Sequence, residues 1–553
     1  MPTGAELFVD AIQSLGITRI FTLVGDHLNE VLAVAGARGI ALFDMRHESG
    51  VTHAADAWAR VTRQPSLSLV TGGPGHTNSL TGIATAFLAA SPLISVSGSR
   101  STTTADRQGF QDIDQLGMVR PVVKWAAQPP NAGQIPFYLG RAYAEAVAGR
   151  MGPVHLTIPV DLFRAQAAAP TAMPSVPPTV AIPPSTTDTG RLLALLRAAQ
   201  RPVIVAGSGV WWARAEEELR QFIERMQIPL YTVSMGRGVV SDEHPLCLGY
   251  ADPALNRAIL DVYQECDLIL ILGKRIDFRF ALGSPRVFPA AARIVQVDIH
   301  PQELGMNRRL ELGICADVKA TLEALLDATR GEPARPEGTW LARLRALRSQ
   351  WEARLFEESR QGGVAIHAGA FHYELRKALP PDTLISWDAA DFAHWGRAVF
   401  PARVPGGWLR LGPLATIGSG LPNALALQLA NPGKPVALVS GDGSFGFYIA
   451  ELDTAVRHNL PVVFIIGNDA GWGLERELQR AATGRRDTVA CELRATRYDL
   501  VMQGFGGEGE TIRSLEEVQP AVRRAFASGK PYLLNVEVRG AGSPLAGWQI
   551  AGK

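Results

Sequence analysis

The stretch from Gly441 to Gly473, GDGSFGFYIAELDTAVRHNLPVVFIIGNDAGWG, limits what this chain can become more than any other. The residues before it, VALVS, form a short apolar run bounded by Pro435 and Gly441, the mark of a strand buried on both faces of a parallel sheet. FYIAELDTAVRH then sets Phe447, Ile449, Leu452 and Val456 at helical spacing, which predicts one amphipathic helix. VVFIIG is a second buried strand, and NDAGWG is a polar turn. Strand, glycine turn, helix, strand and loop in that order make a right-handed crossover of a parallel sheet.

Such a crossover brings its two strand ends together at the carboxyl edge of the sheet, where open α/β sheets bind ligands. Here those ends carry Asp442 and Asp469. Two carboxylates beside a glycine-lined helix start form an oxygen site for Mg²⁺, with ligand phosphates completing the shell. The glycines let backbone approach a diphosphate closely. The competing reading is an ordinary crossover with solvated acids.

The same alternation runs through the whole chain. Its 553 residues and 47% hydrophobic content suit a soluble α/β protein of three domains. We expect three open, doubly wound parallel sheets: residues 1–164, 187–335 and 364–540. A Pro/Ala-rich linker spans 165–186, a connecting helix 336–363 and a tail 541–553. Net charge is +1, from 54 Lys and Arg against 53 Asp and Glu, so nothing points to nucleic acid. The four cysteines are scattered, which predicts reduced core thiols in a cytoplasmic protein. No apolar run reaches about 18 residues, and no secretory leader pattern opens the chain, so no membrane partner is expected.

GDG, a helix and then N-D resembles the signature of the thiamine-diphosphate enzymes. The resemblance implies thiamine diphosphate and Mg²⁺ as cofactors, with the first domain binding the pyrimidine and the third the diphosphate. Asp442, Asp469 and the backbone carbonyl of Gly471 would hold the metal. Most relatives carry Asn where this chain has Asp469, and the aspartate adds a negative charge. MRHESG resembles the family's RHE motif and makes Glu48 the carboxyl group that hydrogen-bonds the pyrimidine ring. Glu48 is expected at a strand end, buried when two subunits meet. An isolated Glu in a turn would instead be solvated.

The resemblance extends to the pocket walls. LVGDHLNE supplies Gly25 and His27; LVTGGPGHTN, similar to the family's SGPG loop, supplies Gly73, Pro74 and Asn78, with His76 as a second histidine nearby. GFQDIDQ supplies Gln111, an amide suited to orienting a substrate oxygen. His27 paired with Gln111 resembles benzaldehyde lyase. Other stretches, among them IVQVDIHPQELG and GWG, are similar to acetolactate-synthase-like proteins as well. In LRLGPLATIGSG, Gly412 and Ile417 lie under the cofactor, and Ile417 props its bent form. Ala389 and Ala390 face the diphosphate; Gly441, Gly443, Ser444, Trp472 and Gly473 complete the cradle, with Leu474 beside the acceptor pocket. The tail reads as a lid or as disordered chain.

The middle domain has GxG at Gly207–Gly209 without the rest of a dinucleotide fingerprint, so FAD or ADP is a minor expectation there; Arg275 and Arg279 are candidate phosphate contacts but read first as surface arginines. The favoured function is a lyase and carboligase acting on 2-hydroxyketones, aldehydes or 2-oxo acids. It would work as a dimer or dimer of dimers whose active site is shared between subunits. Glu48, His27 and Gln111 would be catalytic. Alternatives are an acetolactate-synthase-like decarboxylating carboligase, a 2-hydroxyacyl-CoA or oxalyl-CoA type lyase, and an inactive nucleotide-binding paralogue.

Overall fold

The computed structural model describes every residue except 179, 334–335, 362, 364 and 551–553. The expected boundaries at 335 and 364 and the last three tail residues lie outside the described residues. The chain divides into two compact units, Met1–Thr179 with Leu411–Gly433 and Phe445–Val462, and Val180–Arg410 with Lys434–Ser444 and Val463–Lys553.

The first unit is built on a six-stranded sheet: β1 (Arg19–Thr22), β2 (Ala41–Asp44), β3 (Ser66–Val70), β4 (Leu93–Ser99), β5 (Trp125–Ala127) and β6 (Val154–Pro159). Their order is β2-β1-β3-β4-β6-β5, and every pairing is parallel. The chain leaves β1 towards β2 and returns to the other side of β1 as β3. This reversal opens a crevice at the carboxyl ends of β1 and β3. Phe8, Ile12, Val31, Leu67, Leu69, Ile94, Val96 and Leu156 fill the core beside it.

The second unit holds two sheets. One contains β7 (Pro202–Ala206), β8 (Leu230–Thr232), β9 (Cys247–Tyr250), β10 (Leu268–Leu272), β11 (Arg293–Asp298) and β12 (Leu312–Cys315), ordered β12-β11-β10-β7-β8-β9. β10 reads LILIL and is buried at every residue; each such side chain contributes about 1.5–3 kcal/mol relative to exposure. The other contains β13 (Ile366–His367), β14 (Leu384–Trp387), β15 (Trp408–Arg410), β16 (Val436–Gly441), β17 (Val462–Asn468), β18 (Glu508–Ile512) and β19 (Tyr532–Arg539). Its order is β13-β19-β17-β16-β14-β15, with β18 beside β19. Reversals fall between β7 and β10 and between β14 and β16, so each sheet has one crevice. The fold is the expected one, three parallel α/β sheets.

Several local expectations are corrected. The segment expected as one helix over residues 447–458 begins in a 3₁₀ turn at Gly446–Tyr448, after a short helical turn at Asp442–Phe445, and its α-helix runs only over Glu451–Arg457. Phe447 is 58% exposed, while Glu451 is buried. Leu452 is buried as the spacing predicts, but the inward face also carries the carboxylate of Glu451, and Phe447 turns outward. Glu48 does not end a strand: β2 stops at Asp44, and Glu48 opens the helix Glu48–Thr62. Cys247, Cys266 and Cys491 are buried thiols, whereas Cys315 is exposed on β12. The tail forms a helix at Pro544–Ile550. Arg257 donates to the Pro544 carbonyl at 3.0 Å and Arg286 to that of Trp548 at 2.9 Å, with Arg286 lying 3.6 Å over the Trp548 ring. Among the described residues no helix is long and apolar enough to cross a membrane.

Candidate active site

In the first unit the crevice gathers residues from β1, β3 and the segment after β4. His27 follows β1 on a single 3₁₀ turn capped by Gly25, and it is buried. A Cβ on Gly25 would lie 2.5 Å from that of Thr71, which closes β3's end against this turn. The Gly72 N–H donates to His27 Nδ1 at 3.3 Å, and the Thr71 hydroxyl lies 2.9 Å from the same nitrogen. Nδ1 is therefore the acceptor, and the neutral ring carries its proton on Nε2. Burial lowers the His27 pKa, with Asp26 pulling weakly the other way, which keeps the ring neutral at pH 7.

Gly73 caps the helix Pro74–Ala89 with φ 60° and ψ −113°, a conformation that side chains resist. Gln115, buried, fixes this loop: its Oε1 accepts from the Gly73 N–H at 3.0 Å, and its Nε2 donates to the Gly98 carbonyl at 3.1 Å. Gln111 packs against Gly73, where a Cβ would meet its own at 2.7 Å. The Gln111 Oε1 is buried without a hydrogen-bond partner, an acceptor left for a ligand.

Glu48 is half-buried at its helix start, and Asn78 Nδ2 donates to its Oε2 at 3.0 Å. The turn before it is held by Glu451, whose carboxylate accepts from the Arg46 N–H at 3.2 Å and from the Thr454 hydroxyl at 2.6 Å. Burial pushes Glu451 up to about 7, against the hydrogen bonds from Thr454, Arg46 and His47. Gly412, with φ 83°, and half-buried Ile417 lie on the loop before the helix Gly420–Ala430. His76 lies in the first turn of the helix Pro74–Ala89. It is fully buried, 2.9 Å from Ser97 Oγ, and burial lowers it to about 4, so it is a core histidine.

In the second unit the third sheet presents Ala389 and Ala390 after β14 and Asp442 after β16. Ala390 opens the helix Ala390–Val399 with φ 83° and packs against Gly441 at the end of β16. The Trp472 ring covers Gly443, where a Cβ would lie 2.7 Å from it; only glycine fits there. Ser444 is buried on the same turn. Asp442 is buried, and its Oδ2 accepts from the Gly471 N–H at 3.1 Å. Burial and then the Asp469 carboxylate push Asp442 up to about 7. Burial also raises Asp469, against the pull of Arg476. Arg476 Nη1 donates to Asp469 Oδ2 at 3.1 Å, and its Nη2 donates to Glu492 at 3.0 Å. Gly473 packs against Asp469 and starts the helix Gly473–Thr483.

Two crowded carboxylates at a helix start, Asp442 buried and Asp469 half-buried, form a donor set suited to a divalent cation, which would relieve their repulsion. Among the described residues no group of three or more His, Cys, Asp or Glu is placed to hold a metal. The remaining ligands would therefore come from the Gly471 carbonyl, water and phosphate oxygens. Residues matching the two ends of a cofactor lie in different units, each with its own crevice.

The sequence reading overlooked Thr71, Gln115, Glu451 and Arg476. Gln115 lay in the quoted GFQDIDQ; Glu451 and Arg476 sit at helical positions that read as surface. The glycines of the middle domain have a packing role. A Cβ on Gly207 would lie 2.5 Å from that of Lys274, and the Gly209 N–H donates to the Gly273 carbonyl at 2.9 Å.

Known proteins match the chain in the regions of all three sheets. Residues 2–118 match the model for the N-terminal TPP binding domain of thiamine pyrophosphate (thiamine diphosphate) enzymes. Residues 189–325 match the central domain and 388–536 the C-terminal TPP binding domain. The chain is 35% identical over 541 residues to the acetolactate synthase large subunit IlvG of Mycobacterium tuberculosis, covering 96% of this chain and 95% of the relative. It is 30% identical over 557 residues to 2-hydroxyacyl-CoA lyase 1 of Mus musculus, covering 97% and 94%. It is 28% identical over 551 residues to sulfoacetaldehyde acetyltransferase of Castellaniella defragrans, covering 95% and 90%.

Proposed function

Because the chain belongs to the thiamine pyrophosphate enzyme family, we propose that it is a Mg²⁺-dependent lyase and carboligase of 2-hydroxyketones, aldehydes or 2-oxo acids. At the coarser level it is a thiamine-diphosphate-dependent carbon–carbon lyase or transferase acting on small carbonyl compounds. When bound, the cofactor supplies the nucleophilic carbon and the electron sink for a carbon–carbon bond beside a carbonyl.

The chain's residues divide the remaining work. Glu48, oriented by Asn78, would hydrogen-bond the pyrimidine end and hold or release a proton at its carboxyl group. Asp442, Asp469 and the Gly471 carbonyl would hold Mg²⁺, and Gly441, Gly443 and Ser444 would offer the diphosphate a close backbone cradle. His27 holds a proton at Nε2 and passes it to or from the substrate oxygen, and Gln111 fixes that oxygen's orientation. In the active form, a homo-oligomer, Glu48 of one subunit serves the diphosphate centre of another. The middle domain has no assigned FAD or ADP.

The observation that carries the lyase reading is the His27 hydrogen-bond pattern, which aligns Nδ1 with Thr71 and Gly72 and dedicates Nε2 to the ligand. A second reading, an acetolactate-synthase-like decarboxylating carboligase, is favoured by the 35% identity to IlvG. A product screen offering benzoin, acetoin, pyruvate and a 2-hydroxyacyl-CoA side by side separates the two. Cleavage of an acyloin that falls about 100-fold in His27→Ala supports the lyase. Carbon dioxide release from pyruvate, with His27→Ala unchanged, sinks it.

A further inference from the structure

Within the first unit, side chains of the segment from Tyr448 to His458 close on the turn from which Glu48 emerges. Tyr448 Oη lies 2.7 Å from Ser49 Oγ. Asp453 accepts from Arg46 Nη1 at 3.2 Å. Arg457 pairs with the Asp44 carboxylate and donates to the Asp44 carbonyl at 3.0 Å, and His458 Nε2 lies 3.0 Å from that carboxylate. The ion pairs among these are partly exposed, and such pairs are individually weak.

Glu451 is placed differently. It is 1% exposed, and its partner on the turn is backbone. The Arg46 N–H donates to Oε1 at 3.2 Å and to Oε2 at 3.3 Å, and the Thr454 hydroxyl donates to Oε2 at 2.6 Å. A Cβ on Gly50 would lie 2.6 Å from Oε1, so the carboxylate also lies against the chain just past Glu48. It therefore meets the backbone on both sides of Glu48, at the N-terminal end of the helix Glu48–Thr62, where negative charge is favoured.

These hydrogen bonds all donate into the carboxylate and suit its ionised form, whereas burial suits the neutral one. Burial pushes the group up to about 7, against the donors Thr454, Arg46 and His47 and the charge of Arg457. The other charges around it are engaged. On its own helix Asp453 and Arg457 pair at 2.7 Å. On the turn, Asp44 is held by Arg457 and His458, and Arg46 by Asp453. His47 Nδ1 accepts from the Ser49 N–H at 3.1 Å, and Glu48 accepts from Asn78. Further along the Glu48 helix, burial lowers His53 to about 3, so it is neutral, and Asp56 pairs with Arg60 at 2.7 Å. The helix Gly420–Ala430, packed against both, has no titratable side chain.

We propose that Glu451 is a positioning residue for Glu48: through Arg46 and Gly50 it fixes the turn that aims the Glu48 carboxyl group. The ionised form accepts at both oxygens and holds the turn; the protonated form gives up one acceptor and holds it more loosely. The aim of Glu48 thus tightens as pH rises through about 7. Taking Glu48 as the group that meets the cofactor rests on the function proposed above; the clamp itself does not.

Two measurements test it. In the cofactor-free protein, hydrogen exchange of a peptide spanning residues 41–52 is followed by mass spectrometry. Glu451→Leu should speed exchange there about 10-fold. Glu451→Gln, which still accepts, should speed it less, and β4 should stay as protected as in wild type. Unchanged exchange in Glu451→Leu shows that there is no clamp, and faster exchange throughout the first unit shows a residue of the fold alone; either overturns the proposal. With thiamine diphosphate and Mg²⁺ saturating, kcat is then measured from about pH 5.5 to about pH 8.5 on the substrate that the product screen identifies. The wild-type profile should rise through about 7. Glu451→Gln, neutral at every pH, should stay near the wild-type low-pH level, about 10- to 100-fold below the plateau, with KM within a few fold. Thr454→Val removes a donor to the ionised form and should move the rise to higher pH. A rise that both variants leave in place overturns the proposal. If wild type binds no cofactor while the exchange result holds, the functional reading fails and the clamp stands.

Discussion

The two acidic centres of this protein are built in opposite ways. Glu48 stands half-buried, attended by one neutral amide and carried on a turn held by backbone hydrogen bonds. Asp442, buried, and Asp469, half-buried, are crowded together and partly neutralised by Arg476. A carboxyl group that must gain and lose a proton needs an uncommitted partner. A pair that must grip a cation needs its repulsion stored until the cation arrives. The difference teaches that the same residue type is set for proton traffic or for metal by the charge of its immediate neighbours.

That contrast can be broken. Glu48→Gln should lower turnover by about 100- to 10,000-fold while calorimetric cofactor affinity stays within a few fold; equal loss of both would erase the distinction. Asp442→Asn should do the reverse and weaken Mg²⁺ and cofactor binding, by about 3 kcal/mol or about 100-fold in Kd. Retained affinity would remove Asp442 from the metal shell.

A finer prediction concerns Asp469. Its carboxylate is matched by Arg476. Asp469→Asn and Arg476→Gln should therefore couple, with about 1–2 kcal/mol of interaction in a double-mutant cycle on Mg²⁺ affinity. Additive effects would show that Arg476 serves only Glu492.

The smallest effect expected is on stability. Glu451 has a raised folded-state pKa, so its contribution is fully present below about 4.5 and is lost as pH rises through about 7. Glu451→Gln should remove about 1–3 kcal/mol of that pH dependence, read from urea melts at pH 5 and pH 8. An unchanged profile would mean that Glu451 ionises freely.

The fold was largely legible because its central strands are apolar runs buried on both faces. SLSLV, LILIL and VVFIIGN announce themselves. β5, β9 and β12 did not, since edge strands of three or four residues are too short to carry a pattern. The candidate residues nearest to glycine turns, His27, Glu48, Asp442 and Asp469, can be nominated from the sequence alone. Their supports were not. Thr71 meets His27, and Glu451 meets Arg46, across hundreds of residues in the second case. A buried polar partner of that kind leaves no local signal, because hydrogen bonding, not hydrophobicity, lets it stay inside.

The tail helix Pro544–Ile550 has a consequence for how the molecule is made. Its grips on Arg257 and Arg286 span 287 and 262 residues of sequence. Arg257 and Arg286 are synthesised long before this helix, so the contact closes late and is among the longest-range in the second unit.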